Sequence, residues 1–422
     1  MDIVGKKLLV LGANPETAGF VRKACEMGVF TIVTDYNPQA YAKRFASKSY
    51  DIDAVDLSAL SRMALQEKID GVMVGVAEAL LPTYEKLCSR LSLPCYGTMR
   101  LFDLLTDKSK FKQVCRRHLV PVVQEYPVSN PPTEAEIAAI PLPAVVKPVD
   151  NRSSRGISVC YTKEELYRGM EKALEYSNRK RLIIEKYMTG AEVVVYYIIQ
   201  DGEPSLVGMC DRYTNKEQFG VAQLPTAYIF PSMYLERYLA DTDQRVRSML
   251  RAIGIQNGTL FIQSFIEHGE VRFYESGYRL NGAQEHYIVN ANSGIDAKEL
   301  MVNFALTGRM SDTRISSMAN PHFKKWSCKL SPLVRAGQIR TIAGLEAIAK
   351  IPEVISINPS YDETDIVTSV GTLRQIVCRF YIVAETKERL AEVIRFIHSN
   401  FTVLDNDGNN MIMTPFDTQA IV

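Results

Sequence analysis

The sequence predicts a mixed α/β and α+β protein: an N-terminal doubly wound parallel sheet, an α+β middle built on buried strands, and a small C-terminal subdomain. Three observations lead there. Short apolar runs alternate with amphipathic helical stretches over the first hundred residues. Beyond residue 143, buried strands end in charged residues and small-residue turns, and from about 329 a smaller strand, helix, strand pattern takes over. A chain of 422 residues is long enough for two or three domains around a large core.

In order, 7–12 (KLLVLG) reads as a buried strand entering a turn, 17–27 as a helix, and 30–35 (FTIVTD) as a second strand. Residues 57–67 read as a helix, 71–75 (GVMVG) as a third strand and 77–91 as the returning helix. The first turn, Gly12-Ala13-Asn14-Pro15-Glu16-Thr17-Ala18-Gly19, is not GxGxxG, because Pro15 stands where the glycine that admits a pyrophosphate belongs. Asp35 lies near the position of a ribose-binding acid, but without the fingerprint NAD is disfavoured. Gly12 and Gly19 are expected to serve the turn and helix-to-sheet contact.

Composition removes several classes. The net charge is +1, from 49 basic and 48 acidic side chains, so no basic footprint for nucleic acid appears. No apolar run approaches a membrane span and the N-terminus lacks the layout of a secretory signal. The eight cysteines are scattered without a CxxC pair, which reads as reduced thiols in a cytoplasmic protein.

Residues 98–118 read as helical, broken by Pro121, with an Asp107-Lys108 pair inside. Next come four segments whose order carries most of the chemistry: Pro143-Ala144-Val145-Val146-Lys147-Pro148, the loop 151–156 (NRSSRG), 185–192 (EKYMTGAE), and Phe273-Tyr274-Glu275-Ser276-Gly277-Tyr278-Arg279. A lysine closing a buried strand must snorkel out or meet an anion. Ser153, Ser154 and Gly156 can offer backbone N–H groups to phosphates; otherwise the loop is an ordinary hairpin turn. Carboxylates beside buried strands are costly unless something donates to them. Residues 259–266 and 271–275, joined by a turn at His268-Gly269, form a hairpin that places Gln263 beside Glu275.

These segments together resemble the ATP-grasp superfamily of ligases. The resemblance runs over almost the entire chain, in the order seen in carbamoyl phosphate synthase-like and biotin carboxylase-like members. It implies a pre-ATP-grasp domain at 1–97, a two-lobed ATP-grasp clamp at 98–328 and a C-terminal subdomain at 329–422. It further implies ATP as cofactor, with Lys108, Lys147, Ser153, Ser154 and Gly156 on its phosphates. Glu185 would accept from the adenine amino group, the backbone of Lys186, Tyr187 and Met188 would line the base, and Glu192 would hold the ribose. Mg2+ would be held by Glu275 with Gln263 and Asn281, and Arg279 and Lys147 would be catalytic.

The sequence departs from the family pattern twice. Gln263 stands at a position usually acidic, and Gly277 where an Asn is usual. Gln is still an oxygen donor to a hard cation but brings no charge. His286, a lone histidine in the polar stretch after the hairpin, receives no catalytic role.

The activity this implies is an ATP-dependent ligase that joins a small carboxylate to an amine or similar nucleophile through an acylphosphate, releasing ADP. The alternative from another class is a catalytically weak or inactive ATP-binding regulatory protein of the same fold; an NAD-dependent oxidoreductase ranks third. Small-molecule carboxylate and amine substrates, no nucleic acid, no membrane and a homodimer are expected, with the C-terminal subdomain closing one side of the cleft, forming a dimer surface or shaping the substrate pocket. There, 373–383 reads as a strand and 387–400 as an amphipathic helix with Leu390, Val393, Ile394 and Ile397 on one side.

Overall fold

The computed structural model describes residues 2–150, 156–215, 223–368 and 370–421. Its N-terminal sheet is fully parallel, in the order Lys48–Tyr50, Phe30–Thr34, Lys7–Leu11, Gly71–Val74. Helices Pro15–Glu26, Leu57–Glu67 and Leu81–Leu91 follow the strands. Pro15, which spoils the dinucleotide fingerprint, opens its helix at a position where the missing N–H costs nothing. The Asp35 carboxylate accepts from the N–H of Ala13 and of Asn37, each at 3.0 Å. Asp35 is therefore a fixture of the first turn. Gly19 differs from expectation: a Cβ there would lie 2.6 Å from the Tyr287 hydroxyl, so the close contact is with a later helix, not with the sheet.

The expected helical stretch 98–118 is two helices, Met99–Thr106 and Lys108–Arg117, divided at Asp107. Beyond them lies an antiparallel sheet in the order Glu125–Tyr126, Leu182–Lys186, Ala144–Pro148, Ser158–Cys160. Helix Lys163–Tyr176 packs on it and starts from a capping box between Thr162 and Glu165.

The largest element is an eight-stranded antiparallel sheet. From one edge it runs Glu270–Tyr278, Gly258–Glu267, Glu192–Gln200, Glu203–Thr214, Pro225–Phe230, Trp326–Leu330, Cys378–Ala384, Val354–Pro359. Trp326–Leu330 pairs on both sides, with Pro225–Phe230 and with Cys378–Ala384, so the sheet is continuous across residues 328 and 329.

Helix Lys387–Asn400 buries Leu390, Val393, Ile394 and Ile397 as its pattern requires. The strand expected at 373–383 begins only at Cys378. Residues Leu373–Gln375 form a single 3-10 turn instead, because the buried Gln375 carboxamide bonds backbone: it donates to the Val334 carbonyl (3.0 Å) and accepts from the Gly371 N–H (2.6 Å). All eight cysteines are free thiols, six of them buried. Among the described residues no helix is long and apolar enough to cross a membrane.

Candidate active site between the two antiparallel sheets

Asp107 explains how Lys108 is aimed. Its carboxylate caps the helix Lys108–Arg117, accepting from Ser109 N–H and Lys110 N–H at 3.0 Å each, while Arg179 holds its other oxygen at 2.5 Å. Lys108 is thereby the first helical residue, and its own N–H reaches the Val149 carbonyl at the end of strand Ala144–Pro148 (3.2 Å). Its buried side chain crosses toward the hairpin, the ammonium 3.8 Å from a Glu275 oxygen.

Lys147 turns inward. It pairs with Glu185 at 2.6 Å and sits over the Tyr274 ring, 4.9 Å from its centre. The other Glu185 oxygen is taken by Lys112, one helical turn beyond Lys108, which also reaches Glu125 at 3.4 Å. The side chains of Lys112 and Glu185 are 0% and 2% exposed, so this lysine–carboxylate–lysine unit is removed from water. Burial pushes Lys147 down to about 8 and Lys112 down to about 7, against the attraction of nearby carboxylates. Glu185 thus anchors two cations, one on each of its oxygens. Lys112 had one legible signal, its spacing of four from Lys108 on the same helix face.

The hairpin turns at His268 and Gly269, both at positive φ, as a two-residue turn that matches strand twist requires. An unbroken ladder from that turn would set Gln263 opposite Tyr274. The register instead steps between Gln263 and Ser264, pairing Gln263 with Glu275 and leaving Tyr274 as the extra residue of a β-bulge. The bulge therefore sets the expected Gln263–Glu275 pair side by side. It also re-aims Tyr274, whose hydroxyl donates to Gln263 Oε1 (2.7 Å) and approaches Glu192 Oε2 (3.3 Å). Glu192 is in turn paired with Arg212 on the neighbouring strand. Tyr274 and Arg212 were missed by the sequence reading, since adjacent residues on a regular strand face opposite ways.

Gly277 has a steric reason. A Cβ built there would fall 2.2 Å from the ring of Phe261, its cross-strand partner, so Phe261 fills the space an Asn side chain would need. Gly277→Ala is expected to destabilise by about 1–3 kcal/mol through overpacking, and Phe261→Leu in that background should recover part of the loss in thermal unfolding. No recovery would show that Phe261 is not the obstacle.

Arg279 stacks near the same ring (5.1 Å), pairs with Glu78 of the N-terminal domain (3.3 Å) and donates to the Leu280 carbonyl (3.0 Å). Asn281 Oδ1 accepts from the Ala283 N–H at 3.1 Å, so its oxygen already serves the loop. Burial raises Glu285 to about 8. Both ring nitrogens of the buried His286 lack partners among the described residues, and burial holds it well below the usual imidazole range.

Ser153 and Ser154 lie outside the described residues. Gly156 is described: its φ of +78 and a Cβ position 2.8 Å from Tyr176 both require glycine. In the stretch after Glu185, the Lys186 side chain pairs with Glu267 (2.6 Å), while its N–H bonds the Gln124 carbonyl (3.0 Å) and that of Tyr187 the Pro143 carbonyl (3.4 Å). Met188 packs with Val123, Phe265 and Tyr274. A pocket of about 390 Å³ opens here, lined by Tyr187, Met188, Glu192, Arg212, Tyr234 and Phe265 among others. That is within the range of small-molecule sites.

Known proteins bear on this geometry. Residues 140–283 match the model of an ATP-grasp domain. The N-terminal section of the carbamoyl phosphate synthase large chain of Methanopyrus kandleri is 23% identical over 301 residues, 65% of this chain and 52% of that protein. The chain spans about half the length of the curated relatives it matches. Among solved structures, an L-amino acid ligase from Bacillus licheniformis superposes with a TM-score of 0.79 at 17% identity, over 96% of this chain and 99% of that one. The biotin carboxylase domain of the Hydrogenobacter thermophilus 2-oxoglutarate carboxylase, solved as a dimer with MgADP, ADP and bicarbonate, gives 0.77 at 17% identity, over 97% and 91%. At these identities the superpositions establish the fold. Residues 140–283 thus match an ATP-grasp domain, and over nearly its whole length the chain shares the fold of the L-amino acid ligase and biotin carboxylase structures.

Proposed function

We propose that the chain is an ATP-dependent ligase that activates a small carboxylate as an acylphosphate, releases ADP, and lets an amine or similar nucleophile capture the acyl group. The observation that carries this is the convergence of Lys108, Lys147, Gln263 and Glu275 on one cleft face. Lys108 comes within 3.8 Å of Glu275, Lys147 sits over Tyr274, and Gln263 is paired in register with Glu275. Two lysines supply positive charge for a polyphosphate, and the pocket beside 187–192 is where the base and ribose would lodge, with Glu192 toward the sugar. Arg279, with Glu78 and Phe261 fixing its plane, would stabilise charge on the transferring group.

Glu275 and Gln263 offer the oxygen donors that Mg2+ prefers, so the residues fit that ion, with a single carboxylate and with Asn281 engaged in its loop. The metal when bound neutralises phosphate charge. The chain's own residues orient the phosphates and keep the reacting carboxylate beside them. The same proposal takes 1–97, 98–328 and 329–422 as working units, small molecules as partners, a homodimer, and a cytoplasmic setting. The test is an ADP-release screen of amino acids and small carboxylates against amines. ATP binding without ADP release from any pair would favour the regulatory reading, which the Gly277 departure supports.

Gln263→Glu tests the metal assignment. The new carboxylate would face Glu275 and still accept from Tyr274, raising repulsion in the empty site and tightening a bound cation. The Mg2+ concentration for half-maximal turnover should fall several-fold, about 1 kcal/mol of added attraction, while metal-free ATP binding stays equal or weakens. An unaltered Mg2+ requirement would remove Gln263 from the metal site.

A further inference from the structure

The eight-stranded sheet has two faces, and the cleft uses one of them. Glu192 and Arg212, which line the pocket of about 390 Å³, stand in cross-strand register with Tyr228 and Lys329 and share one face with them. Ala227 and Leu330, adjacent to that pair and in register with each other, face the other way and pack with Leu390, Ile394 and Ile397 of the helix Lys387–Asn400. On this second face, between the end of strand Trp326–Leu330, the end of that helix and residues 410–416, lies a separate cavity of about 150 Å³.

Leu330, Leu333, Ile397 and Phe401, all buried, give it an apolar floor, and Ile412 and Met413 form a wall. The wall is tied in place. The Met413 N–H donates to the Leu333 carbonyl at 2.8 Å, and the Arg335 guanidinium donates to the carbonyls of Asn410 (3.4 Å) and Ile412 (3.3 Å). Exposed Asn410, Thr414 and Pro415 stand at the rim, so the cavity is reached from solvent on that side. A fixed cavity larger than a water molecule is uncommon in an interior packed as densely as a crystal.

One polar atom in it points to an occupant. Ser331 lines the cavity and is 0% exposed; its N–H goes to the Thr226 carbonyl at 2.7 Å, and its Oγ has no hydrogen-bond partner among the described residues. A buried hydroxyl left unpaired is costly, whereas a ligand group that bonds it removes the cost. Nothing else at the site carries charge. Among the described residues no Asp, Glu, Lys or Arg lines the cavity, and burial pushes the His398 imidazole down to about 4, which leaves it neutral near pH 7. An ion would lose its hydration there without meeting a counter-charge. An apolar cavity of about 150 Å³ accepts a molecule the size of benzene.

We propose that this cavity is a second binding site, on the sheet face away from the cleft, for a small uncharged molecule that is apolar over most of its surface and carries one hydroxyl or similar neutral group to bond Ser331 Oγ. The site is independent of the ligase reading.

The test is ligand-observed NMR titration of the full chain with phenol, toluene and benzoate near pH 7, with and without saturating MgATP. Phenol and toluene have one shape and differ in the hydroxyl; benzoate brings a charge. Phenol and toluene should both bind saturably, benzoate should bind at least about tenfold more weakly than phenol, and MgATP should displace neither neutral compound. Ser331→Ala should weaken phenol about five- to tenfold, the usual worth of one hydrogen bond, and change toluene by less than about twofold. Ile412→Phe, which fills the cavity from its wall, should abolish binding of both.

Absence of saturable binding by phenol and toluene overturns the site, and displacement of both by MgATP overturns it by placing them in the cleft. Benzoate binding as tightly as phenol, or Ser331→Ala weakening phenol and toluene equally, overturns the assignment of the ligand class. Unchanged affinity in a folded Ile412→Phe overturns the location. If Ile412→Phe fails to fold, the phenol-to-toluene ratio in Ser331→Ala decides, and a ratio equal to that of wild type overturns the proposal.

Discussion

Arg279→Ala is expected to lower ADP-forming turnover by about 10²–10³-fold, the usual cost of deleting a preorganised group that meets charge only as it develops. ATP binding should change little, because in the proposed function the nucleotide's phosphates are met by Lys108 and Lys147. Arg279 is held in three ways: by Glu78, by the Leu280 carbonyl and by the Phe261 ring. Those contacts fix a planar, forked cation, which an ammonium cannot copy. Arg279→Lys should therefore recover only a small part of the rate. Single-turnover ADP formation with nucleotide affinity measured in parallel separates the two effects. A variant that loses ATP affinity and turnover in equal measure would place Arg279 in ground-state binding instead.

The regular parts of this fold were readable because each rests on local periodicity. The parallel N-terminal strands, the turn at His268 and Gly269 and the buried stripe of the helix Lys387–Asn400 follow from patterns a few residues long. Departures from periodicity were not readable. The bulge at Tyr274 depends on how the hairpin strand meets its neighbour, and it changes which side chains share a face. The broken strand near 375 depends on a buried carboxamide bonding backbone far away in sequence. In the site, lysines at strand and helix ends stood out as charges in apolar surroundings. Lys112 and Arg212 did not, since the partners that define them lie on other strands. Gly277 was visible as a departure, but only the ring of Phe261 supplies its cause.

The other large effect is on stability. Glu185→Ala removes the anion shared by Lys112 and Lys147, and taking one partner from a buried ion pair costs about 3–5 kcal/mol because the remaining charge stays buried and uncompensated. The sign of its pH dependence follows from the lysines. Both have folded values below the ordinary 10.5, about 7 for Lys112 and about 8 for Lys147. A depressed base contributes stability that is present above its unfolded value and is lost as pH falls through its folded value. Without Glu185 both folded values drop further. Between 10.5 and about 8 both proteins hold these lysines neutral when folded, so the variant's deficit relative to wild type should be small and flat there, widen as pH falls through about 8 and 7, and be largest below that. Adding Lys112→Met should recover much of the deficit, since one buried cation is then gone. The measurement is thermal unfolding of wild type, Glu185→Ala and the double variant across pH 6 to about 10.5, the ordinary lysine value. A deficit that is flat over this range, or that Lys112→Met deepens, would mean that Glu185 stabilises the lobe by packing and not by balancing the two lysines.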